Sequence, residues 1–446
     1  MGFLKTFALG GVHPEENKIS ANAAIETLPP PEQAVVPLGQ NLGAPSKPLV
    51  KKGDKVKVGQ LLAEASGFIS TNIHSPVSGT VMKIDEMIDS TGFKRPSVVI
   101  KVEGDEWEES IDRSEDLVTD ISMNPEEIIE KIKLAGLVGM GGATFPTYVK
   151  LMPPPGKKAE FLIINGVECE PYLTSDHRLM LEKGQEIIIG TQLLMKALKV
   201  DQAIIGIENN KKDAINHLTE LAKSAKGITV MALKVKYPQG GEKQLIKATV
   251  NREVPSGKLP IEVGCVVQNV GTAFAVYEAV QKNKPLIERV VSVTGKEVKK
   301  PSNFMARVGT PVQQLIDAAE GVPENTGKII GGGPMMGKAI TSLDVPVVKG
   351  TSGILLMKNE ETHRKAPGPC IRCSRCASVC PMGLEPYLLS KAAKLGKYDI
   401  AESEMIMDCI ECGSCQFTCP ANIPLLDFLR LGKGKVGHII RNRNKK

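Results

Sequence analysis

The pattern of apolar and polar positions changes several times along the chain, and each change marks a different kind of element. Residues 28–37, with Pro29-Pro30-Pro31, read as an extended leader. From Val50 to Val81 short alternating segments are broken by Gly53-Asp54 and Ser78-Gly79, which predicts small β-hairpins. At Asn124 the period lengthens. Asn124 is placed to cap a helix with Pro125 at its first position, Glu126-Glu127 in its first turn, and Ile128, Ile129 and Ile132 as its apolar stripe. Strand-like runs at 161–164, 203–207 and 228–235 then bracket helical segments such as 211–223, an alternation that predicts an α/β layer. Arg289–Gly295 opens a second small β region, and 384–405 returns to helix.

These shifts divide the chain into a leader and β domain at 1–123, an α/β domain at 124–285, a small β domain at 286–350, a cysteine-rich domain at 360–432 and a basic tail at 433–446. A chain of 446 residues with 42% apolar content supports several cores. Apolar runs fall short of the ~18–20 residues that a membrane span needs. The first residues break at Gly10-Gly11 before a signal-peptide core could form. Six of the basic residues (Lys433, Lys435, Arg441, Arg443, Lys445, Lys446) fall in the tail without an acid, and they account for the whole net charge of +6. The expectation is a solvated, disordered end or a contact for an anionic lipid surface or acidic partner; its loss should affect docking alone. A neutral body with 4% aromatic residues excludes nucleic-acid binding.

Eight of the ten cysteines form two compact motifs, Cys370-x2-Cys373-x2-Cys376-x3-Cys380-Pro381 and Cys409-x2-Cys412-x2-Cys415-x3-Cys419-Pro420. Two-residue spacing lets three thiolates converge on one cubane, and in two-cluster proteins the fourth Cys serves the other cluster. Cys370, Cys373, Cys376 and Cys419 are therefore assigned to one [4Fe–4S] cluster, and Cys409, Cys412, Cys415 and Cys380 to a second. Paired zinc sites are the alternative that two such repeated spacings disfavour. Cys265 reads as an inert buried thiol, and Cys169, between Glu168 and Glu170, as a poor nucleophile.

Two glycine-rich segments invite ligand readings. Gly139-Met140-Gly141-Gly142-Ala143-Thr144 follows a helix rather than a strand and has Thr144 where the dinucleotide fingerprint needs glycine. Its amides could still nest a phosphate or a flavin ring. Gly332–Lys338 has the spacing of a P-loop, but Ala339 takes the place of the magnesium-binding hydroxyl, which argues against an NTPase.

Over 10–420 the chain resembles the RnfC family of the Rnf electron-transport complexes, in motifs (Gly10-Gly11-Val12-His13-Pro14 to Cys419-Pro420) and in order of parts. The hairpins resemble the barrel-sandwich fold of lipoyl and biotinyl domains; no Lys lies between Val58 and Met82 to carry a swinging arm, so this domain reads as scaffold. The core also resembles the NADH-binding flavoprotein subunit of respiratory complex I, through 139–150, Asn165–Pro171, Tyr237–Glu242 and, more weakly, Val266–Thr272. It departs from that pattern at Met140, Val167, Gly241 and Gln268. The resemblance implies a multidomain α/β protein: a barrel-sandwich hybrid, a Rossmann-like FMN- and NADH-binding core, a β-grasp domain of SLBB type, and a helical two-cluster ferredoxin-like domain. It implies non-covalent FMN on Gly139, Gly141, Gly142, Ala143 and Asn165, with Asn269, Thr272 and Lys150 at its phosphate. Glu168 and Glu242, the candidate catalytic residues, would lie by flavin and nicotinamide, and Phe145 would stack on the adenine. Glu170, Tyr237, Gly240 and Gly241 would complete the pocket. The implied activity is NAD(H)-linked electron transfer at the cytoplasmic face of the membrane. The implied partners are an iron–sulfur subunit that meets ferredoxin and the membrane subunits of the complex. A soluble cobalamin reductase and a non-catalytic cluster-bearing relay are the alternatives.

Overall fold

The computed structural model describes residues 4–443. The hairpins become a sandwich of two small sheets. One orders Gln33–Pro37, Lys94–Val102, Gly79–Ile88 and Lys55–Val56; the other orders Lys47–Pro48, Leu61–Glu64 and Ile73–His74. Val36, Leu62, Ile73, Val81 and Ile100 fill the space between them. Gly79 has φ +150°, and a Cβ there would stand 2.0 Å from the Lys101 carbonyl oxygen, so this turn accepts only glycine.

The α/β core holds four parallel strands in the order Ile228–Leu233, Ala203–Glu208, Phe161–Asn165, Cys265–Asn269. The chain steps outward from Phe161–Asn165 in one direction and then returns to its other side with Cys265–Asn269. Connections therefore diverge at the carboxyl ends of these two strands, where Asn165 lies in register with Asn269. Open α/β sheets bind ligands at such a switch point. The expected cap is present: the Asn124 side chain accepts from Glu127 N and the Glu127 carboxylate accepts from Asn124 N, a capping box on Pro125–Leu134.

The β-grasp sheet is wider than its sequence bounds. Its order is Ile25–Thr27, Ser302–Arg307, Glu288–Thr294, Gly353–Lys358, Thr326–Gly331, Lys338–Ala339, with the helix Val312–Ala318 packed against it. The strand Gly353–Lys358 lies beyond the expected limit at 350, and Ile25–Thr27 comes from the leader. The stretch 28–37, read as an extended leader, therefore ends in a barrel-sandwich strand, Gln33–Pro37, and the true leader is the segment ahead of it, up to Thr27, which threads the other domains. Val12 exchanges backbone hydrogen bonds with Tyr237, and Lys18 Nζ donates to the carbonyls of Glu168, Glu170 and Leu173.

Lys349 pins three domains together. Its fully buried Nζ donates to Asn72 O at 2.8 Å and Gly136 O at 2.7 Å, and burial pushes it down to about 7. The unfolded chain keeps the ordinary lysine value and so holds the extra proton between these limits. This residue's contribution to stability accordingly rises with pH across that window and is least below pH 7. Lys349→Met orphans the buried Gly136 carbonyl and the half-buried Asn72 carbonyl and should cost about 1–3 kcal/mol in denaturant unfolding. It should also flatten the rise in stability between about pH 7 and about pH 10.

In the last domain Leu389, Ala392, Ala401, Ile406, Leu425, Leu429 and Val436 form one core around the cysteines. The tail departs from expectation. Residues 433–443 continue the helix Leu425–Arg443, Val436 is fully buried, and Arg443 pairs with Glu402 at 2.9 Å; residues 444–446 lie outside the described residues. Charge alone suggested a solvated end, but Gly432 and Val436 sit on the packed side of this helix, where a Cβ on Gly432 would stand 2.7 Å from Ala393 Cβ.

Candidate redox site

Residues 139–145 form a narrow loop over the switch point. Gly139 N donates to Phe145 O, Thr147 N donates to Leu137 O, and Val138 pairs with Pro146. Met140 N donates to Thr272 Oγ1 at 3.0 Å. Asn269 caps the helix Val270–Gln281 by accepting from Gly271 N, and its Nδ2 donates to Asp176 Oδ2 at 2.7 Å. Gly141 is wedged here, with a Cβ only 2.9 Å from Asn269 Nδ2, whereas a Cβ on Gly142 would meet nothing within 4 Å. The loop therefore presents exposed residues Gly141, Gly142 and Ala143 and half-buried Phe145 beside a helix N-terminus, an arrangement that favours phosphate.

The expected pocket residues divide in two. Asn165 accepts from Val167 N and donates to Gly240 O, tying 165–171 to 237–242. Lys150 and Glu242, expected at phosphate and nicotinamide separately, form one ion pair at 2.7 Å, with the Glu242 side chain 40% exposed; Gly241 immediately precedes its helix. Glu168 does not project freely: it adopts φ +46° and accepts from Asp176 N and His177 N at the start of Ser175–Glu182. Burial, reinforced by the Glu168 carboxylate, pushes Asp176 up to about 7. Glu170 is engaged by a different turn. Its carboxylate accepts from Met335 N and Met336 N, and burial raises it to about 7. Tyr237 donates its hydroxyl to Cys412 O at 2.8 Å. Cys169, raised by burial, sits 3.3 Å from Gly240 N, and Cys265 is buried and pushed up to about 11.

These residues fit a flavin. Both amide atoms of buried Gln268 lack a protein partner, on the strand that ends at Asn269, and such orphaned groups ask for a polar ligand. A Cβ on Gly142 would meet nothing within 4 Å, so the glycine loop opens onto free space.

The cysteines fit clusters equally well. Cys380 from the first motif joins Cys409, Cys412 and Cys415 around one cavity walled by Leu384, Leu389, Leu426 and Leu429. Burial pushes the Cys409 thiol up to about 11 and raises Cys415 further, so cationic iron is what would make them thiolates. In the other set Cys376 lies beside Cys419, both half-buried, while Cys370 and Cys373 are exposed. The two motifs share a backbone path: Arg372 and Ser374 have left-handed φ at the same offsets as Glu411 and Gly413.

Sequence reading gave Lys433 no role at the clusters, yet its Nζ donates to Cys409 O at 2.6 Å and lies 3.2 Å from Glu411, beside Arg430. Nothing in its local pattern marks it apart from a tail lysine. Deleting 433–446 removes this grip and buried Val436, so iron retention should fall as well as docking; iron analysis before and after desalting reads this out.

The fold and site define a flavin-binding, two-cluster iron–sulfur electron-transfer protein. Four family models match in order: the RnfC barrel sandwich hybrid domain at 5–105, the Nuo51 FMN-binding domain at 132–278, the SLBB domain at 290–339 and the 4Fe-4S dicluster domain at 363–420. The chain is 45% identical over 90% of its length to the component lettered C of the proton-translocating ferredoxin:NAD(+) oxidoreductase complex of Clostridium ljungdahlii, covering 87% of that protein. It is 42% identical to the component of the same letter in the Na(+)-translocating complex of Acetobacterium woodii, over 96% of both chains. It is 41% identical to its counterpart in the ion-translocating oxidoreductase complex of Rhodobacter capsulatus, over 97% of this chain and 84% of that one. The chain belongs to the RnfC family, and is therefore one part of an assembly of several subunits. An air-oxidized NAD+-reducing [NiFe]-hydrogenase chain shares the fold at TM-score 0.52 and 20% identity, over 70% of this chain and 63% of that one. Among the described residues no helix is long and apolar enough to cross a membrane.

Proposed function

We propose that this chain carries electrons between NAD(H), FMN and two [4Fe–4S] clusters, as the peripheral NAD(H)-binding subunit of an ion-translocating ferredoxin:NAD+ oxidoreductase. Its partners are the iron–sulfur subunit that meets ferredoxin and the membrane subunits, on the cytoplasmic face of the membrane. A bound flavin accepts the electron pair of a hydride and releases electrons singly, as one-electron clusters require. Gly139–Phe145, Asn165, Gln268 and Asn269 cradle it. Lys150 holds Glu242 until a nucleotide phosphate competes for the ammonium, which frees the carboxylate at the lip.

The observation that carries this reading is the join between the two halves. Tyr237 of the flavin core bonds the backbone of Cys412, and Val12, Cys169 and Ile410 pack around them. The Cys380/409/412/415 set is thus the inner one, and the set with exposed Cys370 and Cys373 faces outward. Electrons pass from flavin to inner cluster to outer cluster, or the reverse. The test is a visible spectrum and metal analysis of purified protein. About eight irons per chain, with flavin bands that NADH bleaches, are expected; cluster absorbance without flavin would leave only a relay subunit.

A further inference from the structure

The glycine-rich segment 331–337 lacks the hydroxyl of a nucleotide loop, and the glycines answer a different need. Gly337 N donates to Gly333 O at 2.9 Å, closing a tight turn after the strand Thr326–Gly331. The turn aims two successive amides, Met335 N and Met336 N, at the two oxygens of Glu170, at 3.1 and 2.8 Å. Consecutive amides of this kind form an anion-holding concavity, here filled by a carboxylate of the same chain. A Cβ on Gly333 would stand 2.2 Å from Glu170 Oε2, so the approach requires glycine.

The far side of the turn meets the iron–sulfur domain. Met336 O accepts from Arg430 Nη2 at 2.9 Å, and the Arg430 guanidinium lies 3.4 Å from Glu411. Met335 O lies 2.8 Å from where a Cβ on Gly413 would be, and Gly413 has φ +78°. Three consecutive residues of the inner motif are held this way: Glu411 by Arg430 and Lys433, Cys412 by Tyr237, Gly413 against Met335.

We propose that the 332–337 turn is a clamp that fixes the Cys409–Gly413 ligand turn against the flavin core, and so sets the rate at which electrons cross between them. Glu170, Gly333 and Arg430 are its positioning residues. The inference rests on the reading that the inner cluster exchanges electrons with the flavin. It gives the β-grasp domain a part in electron transfer that is separate from cofactor ligation: the turn supplies no ligand, and Met335 packs with Val12, Tyr237 and Cys412 at the join.

Gly333→Val, introduced in the full holoprotein, would drive the turn off Glu170. Iron per chain should be unchanged, hydrogen exchange at 331–337 should rise, and NADH should bleach the flavin at the wild-type rate. Appearance of the reduced-cluster EPR signal after rapid mixing should slow by about tenfold or more, since loss of positioning by an ångström is costly in rate. Arg430→Met, which removes the bond to Met336 O and the pairing with Glu411 but leaves the turn's backbone and the Lys433 contact intact, should slow the same step less, and it decides the matter if the valine variant does not fold. Cluster reduction at the wild-type rate with a released turn would overturn the clamp, as would loss of iron, which would make the turn a requirement for cluster assembly. A wild-type protein whose flavin NADH does not bleach would instead sink the functional reading beneath it.

Discussion

Cys415→Ser should leave a protein that still bleaches its flavin with NADH and hands nothing on. Buried Cys415 lines one cavity with Cys380, Cys412, half-buried Cys409 and several leucines, where a serine hydroxyl offers neither a soft ligand nor a thiolate. About four of the expected eight irons should disappear. Reduction of a small flavin-level acceptor should survive, and transfer to the natural partner should fall to background. Cys373→Ser makes the informative comparison, because Cys373 is exposed and belongs to the outer set. It should also cost about four irons, yet NADH should still generate the EPR signal of one reduced cluster. If Cys373→Ser silences both clusters while Cys415→Ser spares one, the inner and outer assignments are reversed.

Gly141→Val should empty the flavin site. A valine must displace the Asn269 side chain, which caps Val270–Gln281, holds Asp176 and donates to Asn165 O. Breaking buried bonds of this kind costs about 1–3 kcal/mol each, so thermal stability should fall together with flavin content. Gly142→Ala separates the two effects. Its Cβ would meet no protein atom within 4 Å, so stability should hold, while a flavin lying in that space should be lost more readily on desalting. Equal flavin retention in Gly142→Ala and wild type would mean that the flavin lies elsewhere along the loop.

The elements that sequence disclosed were those whose cause is local. The Asn124-Pro125-Glu126-Glu127 cap needs only neighbours in the chain, and the runs beginning at Phe161 and Ala203 are largely buried, mainly apolar strands, with the edge run at Ile228 interrupted only by exposed Thr229. The proposed sharing of Cys380 with the second motif rests on spacing, because three thiolates per repeat leave a fourth to cross over, and Cys380 lines one cavity with Cys409, Cys412 and Cys415. The parts that stayed hidden are long-range. A lysine in the leader, Lys18, is indistinguishable in sequence from a surface lysine until three carbonyls of 168–173 surround it. Gly350-Thr351-Ser352-Gly353 looks like a linker, so the strand that follows it was cut from the β-grasp sheet. In the tail, counting charge hid the burial of Val436 and the grip of Lys433. Glu168 and Glu170 were read together by motif, but the backbone turns between them and sends one to a helix start and the other to the 332–337 turn.

The threaded leader sets the order in which the molecule can be completed. Residues 12–27 are synthesised before their long-range partners, which include Tyr237, the 168–173 segment, Thr174, Glu182 and, for Ile25, Asn303. During synthesis Lys18 must wait until 168–173 is made, Val12 until Tyr237 and Ile25 until Asn303, although the barrel-sandwich behind them can close early on local contacts. Contacts of such sequence separation form late and slowly. The leader therefore acts as the final stitch: it joins domains that have already folded, and the assembly has its fixed geometry only once that stitch is drawn. A bulky fusion ahead of Leu4 would burden this late step more than any earlier one, so in refolding it would delay the docking of domains and leave their individual formation untouched.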